Sequence, residues 1–182
     1  MKKSKTNNKK TKDKAIIEFL KESNAIEDVH GEDALVDAYK AWSYLSDKSF
    51  LTPEVIMGGH HFLMANLRPD IAGFWRNCDV WIGGHKKKFI SVQLIEDEVR
   101  QFCEALNLKA PLLAPKDYAE ETTKQLHIRF EDIHPFEDGN GRIGRMIYLW
   151  HRLKLGLPVH IIHADWPKVD GEQKRYYDWF KK

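Results

Sequence analysis

The chain has 182 residues, enough for one domain with a sizeable core, and its 42% hydrophobic and 31% charged residues are ordinary for a soluble globular protein. No apolar run approaches the ~18 residues that span a bilayer, and no apolar stretch of the secretory kind follows the lysine-rich N-terminus. The two cysteines, Cys78 and Cys103, have neither pairing nor metal-ligand spacing, so a disulfide framework is set aside in favour of a reduced, cytoplasmic setting.

The net charge of +2 conceals an asymmetry, because residues 1–14 carry seven Lys against one Asp while the rest is mildly acidic. Residues 1–14 read as a disordered, solubilising basic leader. The acidic remainder argues against nucleic acid as a partner of the main domain. After the leader, Ile16, Ile17, Phe19, Leu20 and Ile26 recur at helical spacing over residues 15–26. Ala34, Leu35, Ala38, Tyr39, Trp42 and Leu45 form a second amphipathic stripe. Thr52-Pro53 opens a third helix, running to about Leu67, with Thr as N-cap and Pro at the first helical position.

The middle reads differently. Aromatic and β-branched residues from Phe74 to Ile82, a Gly83-Gly84 turn, three lysines and Phe89-Ile90 signal a short β-hairpin. Helix resumes from Ser91 to Leu106, with Leu94, Val99, Phe102, Cys103 and Leu106 as core candidates. Further helices follow at about 117–133, 139–155 and 173–180. The expected architecture is mainly α, one helical domain over 15–182 with a small hairpin.

One segment carries chemistry: His134-Pro135-Phe136-Glu137-Asp138-Gly139-Asn140-Gly141-Arg142-Ile143-Gly144-Arg145. Proline after His134 ends the preceding helix there. The polar, glycine-rich loop that follows runs into an apolar helix whose buried face is Ile143, Met146, Ile147 and Trp150. Free N–H groups and the helix dipole make that helix start favourable for an anion. Arg142 and Arg145, three apart in the first turns, oppose the dipole by a few tenths to about 1 kcal/mol each, a sign that bound phosphate would reverse. Gly144 costs about 1 kcal/mol relative to alanine inside a helix, which points to close approach by another group. Asp138 is either the helix N-cap or an oxygen ligand for Mg²⁺. His134 is either structural or a general base towards an incoming hydroxyl.

The segment resembles the Fic motif, histidine-proline-phenylalanine-x-acid-glycine-asparagine-glycine-arginine-x-x-arginine, at every fixed position, and the likeness extends over roughly residues 15 to 180. The resemblance implies a single Fic-type helical domain with a hairpin flap. It makes His134 the base that deprotonates a target hydroxyl for attack on the α-phosphate of ATP. Phe136 becomes the anchor of the loop, and Asp138 the ligand of a Mg²⁺ that bridges the α- and β-phosphates. Gly139, Asn140 and Gly141 would form the anion hole, and Ile143 and Gly144 would be among the nucleotide-binding residues. Arg142 would meet the β-phosphate region and Arg145 the γ-phosphate. Related Doc toxins carry lysine in place of Gly141 and transfer the γ-phosphoryl group, so glycine here resembles the AMP-transferring branch.

The hairpin near Asp79 to Gly84 resembles the Fic flap, which pairs with an extended segment of a target protein by strand addition. Val80, Trp81, Ile82 and Gly83 would lie beside ATP. Ser23-Asn24-Ala25-Ile26-Glu27 resembles the family's inhibitory motif on a helix near residues 15–28, in which Glu27 would reach Arg145 and block the γ-phosphate. The match departs at Asp28, where Gly or Asn is usual. In some relatives the matching glutamate also supports removal of AMP. Tyr176 and Tyr177 resemble tyrosines on the adenine side, with core packing the competing reading. His60-His61, His160 and His163 form no metal set, so no structural zinc is expected. The implied activity is AMP transfer from Mg·ATP to a Ser, Thr or Tyr hydroxyl of another protein. Transfer of UMP, a phosphoryl group or phosphocholine, or a silent binding module, are the alternatives. Homo-oligomerisation stays open.

Overall fold

The computed structural model describes residues 2–80, 89–108 and 115–181. Among them lie seven α-helices: α1 Lys2–Ile26, α2 Glu32–Ser46, α3 Pro53–Met64, α4 Ile95–Asn107, α5 Lys116–Ile133, α6 Asn140–Lys154 and α7 Glu172–Asp178. A short 3₁₀ turn, Val92–Leu94, leads into α4. The described residues contain no strand. The hairpin expected around Gly83-Gly84 therefore has only its flanks in view, and Trp81, Ile82 and Gly83 lie outside the described residues.

The helix starts follow from local chemistry. Thr52 has extended backbone and its side chain accepts the Val55 N–H at 3.3 Å, with Pro53 beside it at the first helical position. The first helix begins at Lys2, so the stretch read as a disordered leader continues it. Residues 2–15 contain neither Gly nor Pro, and a helix anchored by Ile16, Phe19 and Leu20 extends one residue at a time without a new nucleus.

Its other end is a left-handed cap. Asp28 has φ 56°, its N–H reaches the Ala25 carbonyl, and the Val29 N–H reaches the Asn24 carbonyl at 3.0 Å. These are the two bonds of a Schellman motif, whose left-handed residue is usually Gly and sometimes Asn. Asp tolerates that conformation through its short polar side chain, so the departure from Gly or Asn leaves the cap intact.

The core centres on α6, which packs against α1, α2, α3 and α5. Twelve of its fifteen residues are buried, on every face and not on one alone. A helix enclosed all round is a core helix, and its two ends are its only outlets to solvent. Three of the apolar positions read from periodicity are exposed, the first being Ile17 on α1. Tyr39 is exposed and Ala41 takes the inward place on α2; Leu94 is exposed because it belongs to the 3₁₀ turn, so the buried stripe of α4 starts at Ile95. Gly144 behaves as its position implied. A methyl group there would run into the Glu131 carboxylate, the Phe130 ring at 3.0 Å and the His127 ring at 3.2 Å, all from α5.

Candidate active site

The N-terminus of α6 and the C-terminus of α5 meet at the motif loop. Helix α5 stops at Ile133, and His134 takes φ 49° and ψ 61°, a left-handed turn that throws its side chain off the helix axis. The imidazole stacks on Phe89 with ring centres 4.4 Å apart, and its Nδ1 lies 3.8 Å from a Glu131 carboxylate oxygen.

Three braces shape the loop. Phe136 is fully buried between His60, stacked at 3.7 Å, and Trp75 at 4.8 Å, the anchoring role expected of it. The Asn140 amide is spent on Phe136, accepting its N–H at 2.9 Å and donating to its carbonyl at 2.8 Å. The Asn140 side chain is thus a staple of the loop, and only its backbone N–H is left to serve an anion hole.

His60 is the third brace, and sequence reasoning missed it. Its Nδ1 accepts the Gly73 N–H at 2.9 Å, so the ring proton sits on Nε2 and is donated to the Asp138 carbonyl at 3.0 Å. Burial pushes its pKa down to about 4, which keeps the ring neutral. No periodicity or motif marks this residue; its partners are 13 and 78 positions away.

Gly139 caps α6 with φ 78°, in the left-handed region, and a side chain there would meet the Met64 sulfur at 3.0 Å. The N-cap is therefore Gly139, and the reading of Asp138 as N-cap fails. Asp138 instead holds its half-exposed carboxylate at the mouth of the site, where one oxygen accepts the Gly139 N–H and lies 3.9 Å from Arg142. The N–H groups of Asn140, Gly141 and Arg142 have no intrahelical acceptor, by the geometry of any helix start.

The two arginines differ sharply. Arg145 is 1% exposed and fully engaged. It donates from Nε to the Ser23 hydroxyl at 2.9 Å, from one terminal nitrogen to the Ser23 carbonyl and to Glu27, both at 2.8 Å, and from the other to the Tyr176 hydroxyl at 3.5 Å. Burial works against its charge, but Tyr176 and Glu27 outweigh that and hold its pKa above the usual value. Arg142 is 3% exposed and poorly partnered. A terminal nitrogen reaches the Met64 sulfur at 3.2 Å, Asp138 stands at 3.9 Å, and Nε has no partner among the described residues. Burial lowers its pKa.

Gly141 makes room for the same contact. A side chain on it would collide with the Glu27 carboxylate and approach Arg145 at 3.0 Å. Tyr176 is buried and donates or accepts at the His127 ring at 2.9 Å, so it braces Arg145 from behind, while Tyr177 is partly exposed beside Trp166. Core packing is thus the observed setting of Tyr176. Val80 is half-buried at the last described position before residues 81–88. No group of three or more His, Cys, Asp or Glu capable of holding a metal occurs among the described residues, and no described helix is long and apolar enough to cross a membrane.

The chain resembles known proteins along most of its length. The model of the Fic/DOC family matches residues 50–151. Protein adenylyltransferase Fic of Aedes aegypti is 28% identical over 161 residues, which cover 85% of this chain and 29% of that protein. The protein of the same name from Drosophila mojavensis is 30% identical over 138 residues, covering 75% and 25%. The chain thus spans less than a third of the curated relatives it matches. Among solved structures, a fragment of Fic-1 from C. elegans superposes with a TM-score of 0.72 at 17% identity, covering 90% of this chain and 53% of that one. A Fic domain containing signaling protein from Bacteroides thetaiotaomicron gives 0.71 at 21% identity, covering 95% and 73%. These two likenesses are of fold.

Proposed function

The chain belongs to the Fic/DOC family, and on that premise we propose that it transfers AMP from Mg·ATP to a hydroxyl side chain of another protein. The observation that carries this reading is Arg142, a buried guanidinium whose neighbours are a thioether and a distant carboxylate, set in the first turn of an enclosed helix. A cation so placed opposes the helix dipole and lacks the hydrogen bonds that offset burial. A polyphosphate supplies both.

His134 accepts the proton of the attacking hydroxyl as its oxygen bonds to the α-phosphorus. The bond from that phosphorus to the bridging oxygen breaks, and pyrophosphate leaves with the electron pair. The helix-start N–H groups and Arg142 hold the charge that gathers on the leaving group. Asp138 fits Mg²⁺ that arrives with the nucleotide: one accessible carboxylate at the phosphate mouth matches an ion that keeps waters and phosphates as most of its ligands. When bound, the ion would supply charge neutralisation between the phosphates.

Regulation follows from the Arg145 contacts. Glu27 and Ser23 occupy the guanidinium that a γ-phosphate would use, so α1 in this position holds the enzyme in check. The test is Glu27→Gly protein incubated with ATP labelled on the α- or the γ-phosphate, with His134→Ala as control. Label from the α-position alone, lost with His134→Ala and stronger than in the parent, is the expected result. Label from the γ-position would replace adenylyl by phosphoryl transfer, and no label from either would sink the reading.

A further inference from the structure

Two acidic residues are buried among the described residues, Asp37 and Glu131. Asp37 is answered by the Asn66 amide at 2.9 and 3.0 Å and by Lys40 at 3.1 Å. Glu131 faces a group of another kind. It lies one turn before His134 at the end of α5, and one of its carboxylate oxygens stands 3.8 Å from the imidazole Nδ1, with both side chains largely enclosed. Helix α6 makes room for that carboxylate, because a methyl group on Gly144 would run into its other oxygen. A buried carboxylate is costly unless a positive or hydrogen-donating group answers it, and an imidazole that carries a proton on Nδ1 is such a group.

Other contacts fix the main chain of the base and one face of its ring. Arg76 is buried, its Nε donates to the His134 carbonyl at 2.8 Å, and its backbone N–H donates to the Pro135 carbonyl at 2.9 Å. The Phe89 ring stacks on the imidazole at 4.4 Å. None of these contacts decides which ring nitrogen holds the proton. A negative charge facing Nδ1 does, and it leaves the Nε2 lone pair for an acceptor hydroxyl. The titratable groups around the carboxylate are His127, one turn back on α5, Tyr176 of α7 and, at 3.5 Å from the Tyr176 hydroxyl, Arg145 of α6. Burial keeps His127 neutral, with a pKa of about 3, and keeps Tyr176 protonated. Asp132, next in the chain, is partly exposed. Of these only Arg145 carries a fixed positive charge, and it favours the ionised form of Glu131.

We propose that Glu131 is a positioning residue for the transfer: its buried carboxylate holds the resting proton of His134 on Nδ1 and stabilises the imidazolium that forms when Nε2 takes the acceptor's proton. The proposal rests on the adenylyl-transfer reading above. In the step itself the acceptor O–H bond breaks and an Nε2–H bond forms, while Nδ1 keeps its proton and Glu131 stays ionised. The freed oxygen pair bonds to the α-phosphorus, and pyrophosphate leaves with the electrons of the bridging bond. At 3.8 Å the pair is charge facing ring and not a formed hydrogen bond. Contacts of this kind are often long before substrate is bound and tighten in the complex.

Glu131→Gln keeps the size of the side chain and removes its charge. In the Glu27→Gly background it is compared with its parent in two measurements. The first is the NMR titration of the His134 imidazole without nucleotide, assigned by its loss in His134→Ala. The second is the pH dependence of self-labelling from Mg·ATP labelled on the α-phosphate. A facing carboxylate raises an imidazole pKa, so His134 should titrate about one unit lower in the Gln variant, and the acid limb of its rate profile should move down with it. Labelling on the plateau should fall by about 10- to 100-fold, with Mg·ATP affinity by calorimetry unchanged. A Glu131 that serves packing alone would lower the rate and leave both titrations in place. An unmoved His134 titration, an unmoved acid limb or an undiminished plateau each overturns the proposal. If the Gln variant does not fold, the parent's titration decides. Burial alone takes His60, His127 and His151 to about 3 or 4, so a His134 midpoint at or above about 6.5 requires the carboxylate, and one below it overturns the proposal. A Glu27→Gly parent that takes up no label is a different result, visible before any Glu131 variant is made, and removes the adenylyl-transfer reading together with this proposal.

Discussion

Replacing Gly144 by alanine sets two terms of opposite sign against each other. On helix propensity alone the change stabilises by about 1 kcal/mol. The added methyl, however, would meet the Glu131 carboxylate, the Phe130 ring at 3.0 Å and the His127 ring at 3.2 Å. All three are buried on α5, and His127 is held by the Tyr176 hydroxyl at 2.9 Å, so neither ring can turn aside without disturbing a neighbour. Parting two well-packed helices to admit a methylene-sized group costs about 1–3 kcal/mol, and the contact with Glu131 puts this site in the upper part of that range. The net expectation is a loss of about 1–2 kcal/mol, or about 2–8 °C in the unfolding midpoint for a chain of this size. Thermal and urea denaturation of the parent and the Ala variant, side by side at pH 7.5, measure it. A variant more stable than its parent would show that propensity wins and that α5 does not press on Gly144.

Acid should destabilise the protein before it reaches ordinary carboxylate range. Burial holds His60 and His151 at about 4 and His127 at about 3, against about 6.5 in an unfolded chain, so below pH 6.5 the unfolded state binds protons that the folded state refuses. Stability should be level above pH 7 and fall by about 1.4 kcal/mol per unit per histidine from pH 6.5 towards 4, and urea midpoints that stay level from pH 7.5 to 5 would refute the neutral, buried imidazoles. Arg142→Met removes an under-bonded buried cation, so its midpoint should match or exceed that of the parent while Mg·ATP affinity in the Glu27→Gly background falls at least about tenfold; a midpoint several degrees lower would mean that the guanidinium already has strong partners. Glu27→Gly leaves Arg145 buried with hydroxyl and carbonyl partners only. Mg·ATP should therefore raise its midpoint more than it raises that of the parent, and equal shifts would contradict competition between Glu27 and phosphate.

The elements of this fold were legible because they are written locally. A Thr-Pro start, a histidine before proline and a glycine-rich turn each act within a few residues, and the structure places α3, α5 and α6 within a few positions of where those signals put them. The first helix ran further than its composition suggested because extension from an anchored segment does not depend on burying the residues added. What stayed hidden were partners fixed by packing. His60 and Arg76 look like any polar residues in an aromatic-rich stretch, and their hydrogen bonds go to backbone groups up to 78 positions away.

Arg142 and Arg145 make the limit sharpest. They are the same side chain, three positions apart on one helix, and motif spacing assigns both to phosphate. Nothing in that spacing distinguishes them, and only the resemblance of residues 23–27 to an inhibitory motif singles out Arg145. The difference comes from α1 and the turn after it, which reach the helix start from at least 118 residues away and hydrogen-bond Arg145 alone through Ser23 and Glu27. Gly141 is what lets that carboxylate approach, since any side chain there would occupy its place. On the proposed reading, the same glycine would serve the phosphate site with a nucleotide bound and the Glu27–Arg145 contact without one. Widening residue 141 should therefore loosen Arg145 from Glu27 and crowd the phosphate cradle in one step, and it cannot separate activation from damage as Glu27→Gly can.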